Sequence, residues 1–185
     1  MNALMNAQTE TALIVPVPEV EPIVGRFRDR YDPAAADGIP AHVTVVYPFL
    51  PSKTISSDVV RSLTELFAGF PQFHAEFSET RRFPGVLYFA PSEDAPFRRL
   101  TERVVETYPE APPYGGQFRQ IVPHLTIAHV EDQAELEDIA VEFAVAAHGK
   151  IPVRAVVRAV VLIEKGNGTW CTKARFPLKA EAAPA

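Results

Sequence analysis

The sequence holds a single cysteine, Cys171, in 185 residues. One thiol excludes an internal disulfide and any zinc site built from several cysteines. Its mixed apolar and polar neighbours read as strand, where a buried, inert thiol is expected. Glycine is scarce, nine residues against eighteen prolines, so the connections should be rigid turns rather than flexible linkers. Basic charge is also in short supply. Eighteen Lys and Arg face 23 Asp and Glu, a net charge of -5, which argues against the broad cationic surface that long duplex nucleic acid requires. A small local site for one phosphate or a strand end stays open. No apolar run approaches the ~20 residues of a membrane span. The run from Ala12 to Val17 is too short for the apolar part of an export signal and is broken by proline. A cytoplasmic protein with no membrane partner is expected, acting as a monomer. The 47% hydrophobic and 22% charged fractions are those of one globular domain over 1–185, with an ordered core over about 12–178.

Periodicity outlines the elements. Ala12 to Val17 reads as a strand, and Val20, Ile23, Val24, Phe27 and Tyr31 follow helical spacing up to Pro33. Gly38 and Pro40 turn the chain into a strand carrying His42, which Pro48 and Pro51 end. Ser56 or Ser57 can cap a helix whose Val60, Leu63, Phe67 and Phe70 share a face. Phe73, Ala75 and Phe77 alternate as in a half-buried strand, and Pro84-Gly85 turns into Val86 to Ala90 as a hairpin. Asp94 should cap the next helix, with Pro96 in its first turn. Pro109 to Gly116 is a loop before a strand carrying His124, and Glu131 to Ala147 is helical. Two β-rich runs, Ile151 to Glu164 and Thr169 to Leu178, flank Gly166-Asn167-Gly168 as a hairpin, and Ala180 to Ala185 reads as a frayed tail. Helices interleaved with hairpins exclude an all-parallel sheet. The order predicts an α+β fold of two related antiparallel lobes, with helices outside and a cleft between.

One tripeptide organises that cleft. His42-Val43-Thr44 recurs 82 positions later as His124-Leu125-Thr126, each copy within two residues after a proline and each enclosed by Val, Leu or Ile. Side chains alternate along a strand, so each His shares a face with its Thr. Polar pairs repeated on apolar strands need a polar place to face. His74, His129 and His148 lack this setting. His74 lies on the polar side of its strand, and His148 precedes Gly149 at a helix end. His129, five positions beyond His124, falls on the opposite strand face by strict alternation, unless the strand's end brings it to the cleft mouth.

Catalytic zinc usually takes three protein ligands, and Glu131 and Asp132 fall beyond the His124 strand, so no metal is assigned. No serine or cysteine sits at a strained turn beside these histidines, which disfavours a nucleophilic triad. Phosphodiester cleavage uses all four residues without a cofactor. One imidazole acts as base and the other as acid, and an unperturbed pKa near ~6.5 allows that division at neutral pH. Thr44 and Thr126 can donate hydrogen bonds to the non-bridging oxygens. A strained cyclic phosphate is the substrate such a site suits best.

The two motifs resemble those of the two-histidine (2H) phosphoesterase superfamily, in its LigT-like, 2′-5′ RNA ligase branch. Phe83-Pro84-Gly85-Val86-Leu87-Tyr88 and the closing Gly168-Thr169-Trp170 add looser similarity, and the likeness spans Ala12 to Leu178. The resemblance implies a bilobal, pseudo-two-fold LigT-like fold, two antiparallel sheets with outer helices flanking a central cleft. It implies a hydrolase that opens 2′,3′-cyclic phosphates on RNA ends or small nucleotides, with His42 and His124 as acid and base and Thr44 and Thr126 holding the phosphate. Substrate orientation decides the acid; His42 is taken as acid and His124 as base. Relatives often carry Arg or Lys where this chain has His129, a weaker cation for long RNA; Arg81, Arg82 and Arg119 could compensate. Tyr47, Phe83 and Tyr88 could stack a base, although strand aromatics often serve the core. Two further functions fit the same cleft: a non-catalytic module binding phosphorylated nucleotides or RNA ends, and 2′-5′ ligation in the reverse direction.

Overall fold

A computed structural model of the chain describes residues 10–117 and 120–180. The elements run β1 (Thr11–Pro16), α1 (Glu21–Tyr31), α2 (Pro33–Ala36), β2 (His42–Val46), α3 (Ser57–Ala68), β3 (Phe73–Phe83), β4 (Val86–Pro91), α4 (Ala95–Thr107), β5 (Leu125–His129), α5 (Gln133–Ala147), β6 (Val153–Val157), β7 (Ala159–Gly166) and β8 (Thr169–Pro177). They form two four-stranded antiparallel sheets, ordered β2-β1-β7-β8 and β5-β4-β3-β6. The fold is the expected α+β, two-lobed one. Residues 181–185 of the expected tail lie outside the described residues. Among those described, no helix is long and apolar enough to cross a membrane.

Continuous apolar runs in β1 and β7 follow from burial on both faces of central strands. Leu13 and Val15 of β1, with Val160 and Leu162 of β7, point into the main core. The alternate residues Ala12, Ile14, Val161 and Ile163 join Ile39 in a second apolar cluster, with Tyr47 and Trp170 packed on it. The main core is centred on aromatics. Phe143 of α5 meets Phe27 of α1 and Phe89 of β4 edge-on, at 5.1 and 5.3 Å between centroids. The helices cross over between lobes: α1 packs against β5, whereas α4 packs against β2.

Three expectations change. Ile151 to Glu164 is not one strand but two, broken at Arg158, with β6 in one sheet and β7 in the other. The exposed Arg158 marks the crossing, and its carbonyl accepts from the Leu178 N–H at 2.8 Å. Asp94 stands at the N-cap of α4 but makes no capping bond; its carboxylate takes Arg98 instead, at 3.0 Å. Ser56 does cap α3, accepting from Val59 N–H. Cys171 is exposed rather than buried, because β8 is an edge strand whose outer face carries no covering layer at that position.

Candidate active site

Each motif strand carries a β-bulge directly after its His-x-Thr. In β2, Thr44 faces Ile14 and Val46 faces Leu13, so Val45 is the extra residue. In β5, Thr126 faces Tyr88 and Ala128 faces Leu87, so Ile127 is extra. A bulge shifts the side-chain alternation by one. Hence Val45 and Val46 are both buried, as are Ile127 and Ala128. The next residue on each strand, Tyr47 and His129, swings back to the cleft. This corrects the strict alternation that puts His129 on the opposite face. The bulge carbonyl of Val45 is served by the buried Thr101 hydroxyl of α4, 2.9 Å away.

The two imidazoles are held alike. His42 Nδ1 lies 2.8 Å from the Pro40 carbonyl and His124 Nδ1 lies 2.7 Å from that of Val122. A carbonyl only accepts, so in each neutral ring Nδ1 carries the proton and Nε2 the lone pair. Loss of hydration between the cleft walls lowers both pKa values, that of His42 from 6.5 to about 4, with the carbonyl bonds opposing the shift. Each ring's surroundings differ. His42 feels the positive Arg28, which lowers its pKa further, as does His124, while Asp32 raises it. Arg28 is 2% exposed and pairs with Asp32 at 3.0 Å, also reaching the Ile39 carbonyl. His124 instead lies edge-on against Phe83 and Tyr88, at 5.1 and 5.4 Å, and those two rings stack on each other at 4.3 Å. Phe83 and Tyr88 therefore brace the histidine.

A cleft of about 410 Å³ joins His42, Thr44, Thr126, His129, Tyr47 and Tyr114. That volume suits a small-molecule ligand. One wall is apolar, from Ile14, Ile39, Ile163 and Trp170. Tyr47 meets Trp170 edge-on at 6.1 Å, and its hydroxyl donates to Glu10 at 3.2 Å. Burial and the Glu10 charge raise its pKa. Charged groups lining it are Glu10, the buried Asp32, Asp37 and Lys165, the last paired with Asp37 at 2.6 Å. Among the described residues no three His, Cys, Asp or Glu side chains gather into a metal-sized group.

Other expected contacts stand elsewhere: Arg81 pairs with Glu79 and Arg82 with Glu137. His74 is exposed and His148 ends α5, as their sequence settings imply. Arg119 lies outside the described residues. Tyr114 and Lys165 line the cleft without any motif to announce them. Tyr114 sits in an aperiodic Pro-Pro-Tyr-Gly-Gly turn, whose only sequence signal is an aromatic among loop formers.

Two His-x-Thr strands meeting across a two-lobed cleft mark a two-histidine phosphoesterase fold. Residues 16–169 match the model of the 2′-5′ RNA ligase superfamily, and the chain belongs to that superfamily. It is similar to a Bacillus licheniformis protein named "Putative phosphoesterase", 27% identical over 173 residues, covering 91% of this chain and 97% of that one. Solved structures share the fold. Escherichia coli LigT complexed with NADP+ superposes with a TM-score of 0.59 at 16% identity, covering 93% of this chain and 98% of LigT. LigT complexed with 3′-AMP gives 0.60 at 14% identity, over 92% and 98%. The protein TT0787 of Thermus thermophilus gives 0.59 at 17%, over 94% and 100%.

Proposed function

We propose that the chain is a metal-independent cyclic phosphodiesterase that hydrolyses 2′,3′-cyclic phosphates of small nucleotides or RNA ends. The observation that carries this reading is the matched pair of Nδ1-to-carbonyl bonds, which fixes both imidazoles in the tautomer that works through Nε2. One Nε2 takes a proton from water as its oxygen attacks phosphorus. The other, protonated, delivers a proton to the departing ribose oxygen as the P–O bond breaks. Thr44 and Thr126 donate to the non-bridging oxygens. We assign the base to His42 and the acid to His124, reversing the assignment taken from sequence. The buried Arg28 cation opposes a positive charge on His42, whereas burial, not a neighbouring cation, lowers the pKa of His124. The described charges lining the cleft are Glu10 and acids held in the Asp32–Arg28 and Asp37–Lys165 pairs, which offers no cationic track for a strand of many phosphates and favours a substrate with one. The LigT complex with 3′-AMP supports a nucleotide of that size.

Incubating the protein with a panel of nucleoside 2′,3′-cyclic phosphates in EDTA should give a single phosphomonoester product from at least one member. Cyclic phosphates that bind yet survive intact would replace this reading with that of a binding module.

The pH profile follows from the histidine shifts. Catalysis needs one ring neutral and the other protonated. Both pKa values lie below 6.5, so at pH 7 the free protein holds both rings neutral, and kcat/KM should rise as pH falls toward the lowered value of His124. It should fall again as pH passes about 4, where His42 gains its proton. The expected maximum lies between pH 4 and 6.5. A maximum on the alkaline side of neutrality would contradict the two shifts.

A further inference from the structure

The two motifs are related by the 82-residue offset, but the residues ahead of them are put to different use. Ten residues ahead of His42 stands Asp32, and ten ahead of His124 stands Tyr114. The Asp32 carboxylate is committed to Arg28 and to the Ala34 N–H that it caps. Tyr114 instead crosses to the opposite strand. Its N–H donates to the Tyr47 carbonyl at 2.6 Å, and its half-buried side chain, on the cleft wall, hydrogen-bonds Thr44. Burial raises its pKa. The backbone of Tyr114 is left-handed, at φ 52° and ψ 34°, followed by Gly115 at φ 62°. A bulky residue rarely takes this conformation, and glycine takes it freely. An aromatic held there against its backbone preference, and aimed at a substrate-facing hydroxyl, is the sort of local strain that gathers at working sites.

We propose that Tyr114 is a positioning residue of the phosphate site, whose O–H donates to the Thr44 oxygen and leaves the Thr44 proton aimed at the non-bridging oxygen on the His42 side. Thr44 then presents one hydroxyl geometry rather than several rotamers. The two-fold cleft thereby gains one better-ordered half, which selects the direction in which an asymmetric phosphodiester lies. This rests on the phosphodiesterase reading for its kinetic test, and on phosphate binding alone for its second test.

Tyr114→Phe removes only the hydroxyl. It should lower kcat/KM for the best cyclic phosphate by about 5- to 30-fold, as expected for one hydrogen bond to a working group. Combined with Thr44→Val it should add little, whereas combined with Thr126→Val the two losses should multiply. Tyr114→Gly, which relieves the backbone but removes the ring, should lose at least as much activity. The same cycles run on the affinity for inorganic phosphate, by calorimetry, should show the same coupling to Thr44 only. Losses that multiply with Thr44→Val, or a Tyr114→Phe variant equal to the parent in both assays, would overturn the proposal. If no cyclic phosphate turns over, the phosphodiesterase reading fails by itself, and the phosphate cycle still decides the role of Tyr114.

Discussion

His42→Ala and His124→Ala should each lower turnover of a 2′,3′-cyclic phosphate by roughly 10²- to 10⁴-fold, the range for loss of one general acid or base. The double variant should be far less impaired than the product of the two losses, because acid and base serve one transition state. Leaving-group chemistry then separates the roles. With a 4-nitrophenyl phosphodiester the departing phenolate needs no proton, so His124→Ala should recover much of its loss. His42→Ala should recover none, since water still needs a base. Equal recovery by both variants would refute the assignment of His42 as base and His124 as acid. Recovery by His42→Ala alone would reverse it. Both rings are held by carbonyls of the residue two positions earlier, so alanine at either place leaves the backbone path unchanged.

Arg28→Met should destabilise the fold by about 3–5 kcal/mol, the cost of stripping one partner from a buried ion pair. The Arg28 and Asp32 side chains are 2% and 5% exposed. Methionine fills the volume but leaves the Asp32 charge without its cation and the Ile39 carbonyl without a donor. The same cluster steadies the entry to β2, since Glu21 accepts from the Ala41 N–H at 2.5 Å and lies 3.8 Å from Arg28. Urea denaturation measures the loss. Adding Asp32→Asn to Arg28→Met should restore part of it by removing the stranded charge. A loss under about 1 kcal/mol would mean that water reaches the pair and screens it as it does a surface bridge.

The site is legible in the sequence to the extent that its signals are local. His42, Thr44, His124 and Thr126 declare themselves by a repeated polar pair on apolar strands, and hairpins and helices follow from turn residues and periodicity. What stays hidden are features set by neighbours in space. The bulges at Val45 and Ile127 depend on pairing with β1 and β4, and nothing in the residues themselves breaks the period of two. Strict alternation therefore puts His129 on the wrong face. No glycine or proline marks the break at Arg158 in the β-rich run, because only the second sheet gives the chain a reason to cross. Cys171 reads as a core residue in a strand, yet an edge strand has one side open. Tyr114 reaches the site through a long-range contact that no spacing encodes.

The exchange of helices between lobes bears on how the chain holds together. The strand bearing His42 is covered by α4, from the second half, and the strand leading from His124 is covered by α1, from the first. Each motif strand takes its main helical cover from the other half-chain. A fragment cut between the halves would expose an apolar motif strand, and the missing partner would be the other fragment rather than solvent. The two lobes are thus obliged to melt together, as one cooperative transition, and the two histidines are lost or kept as a pair.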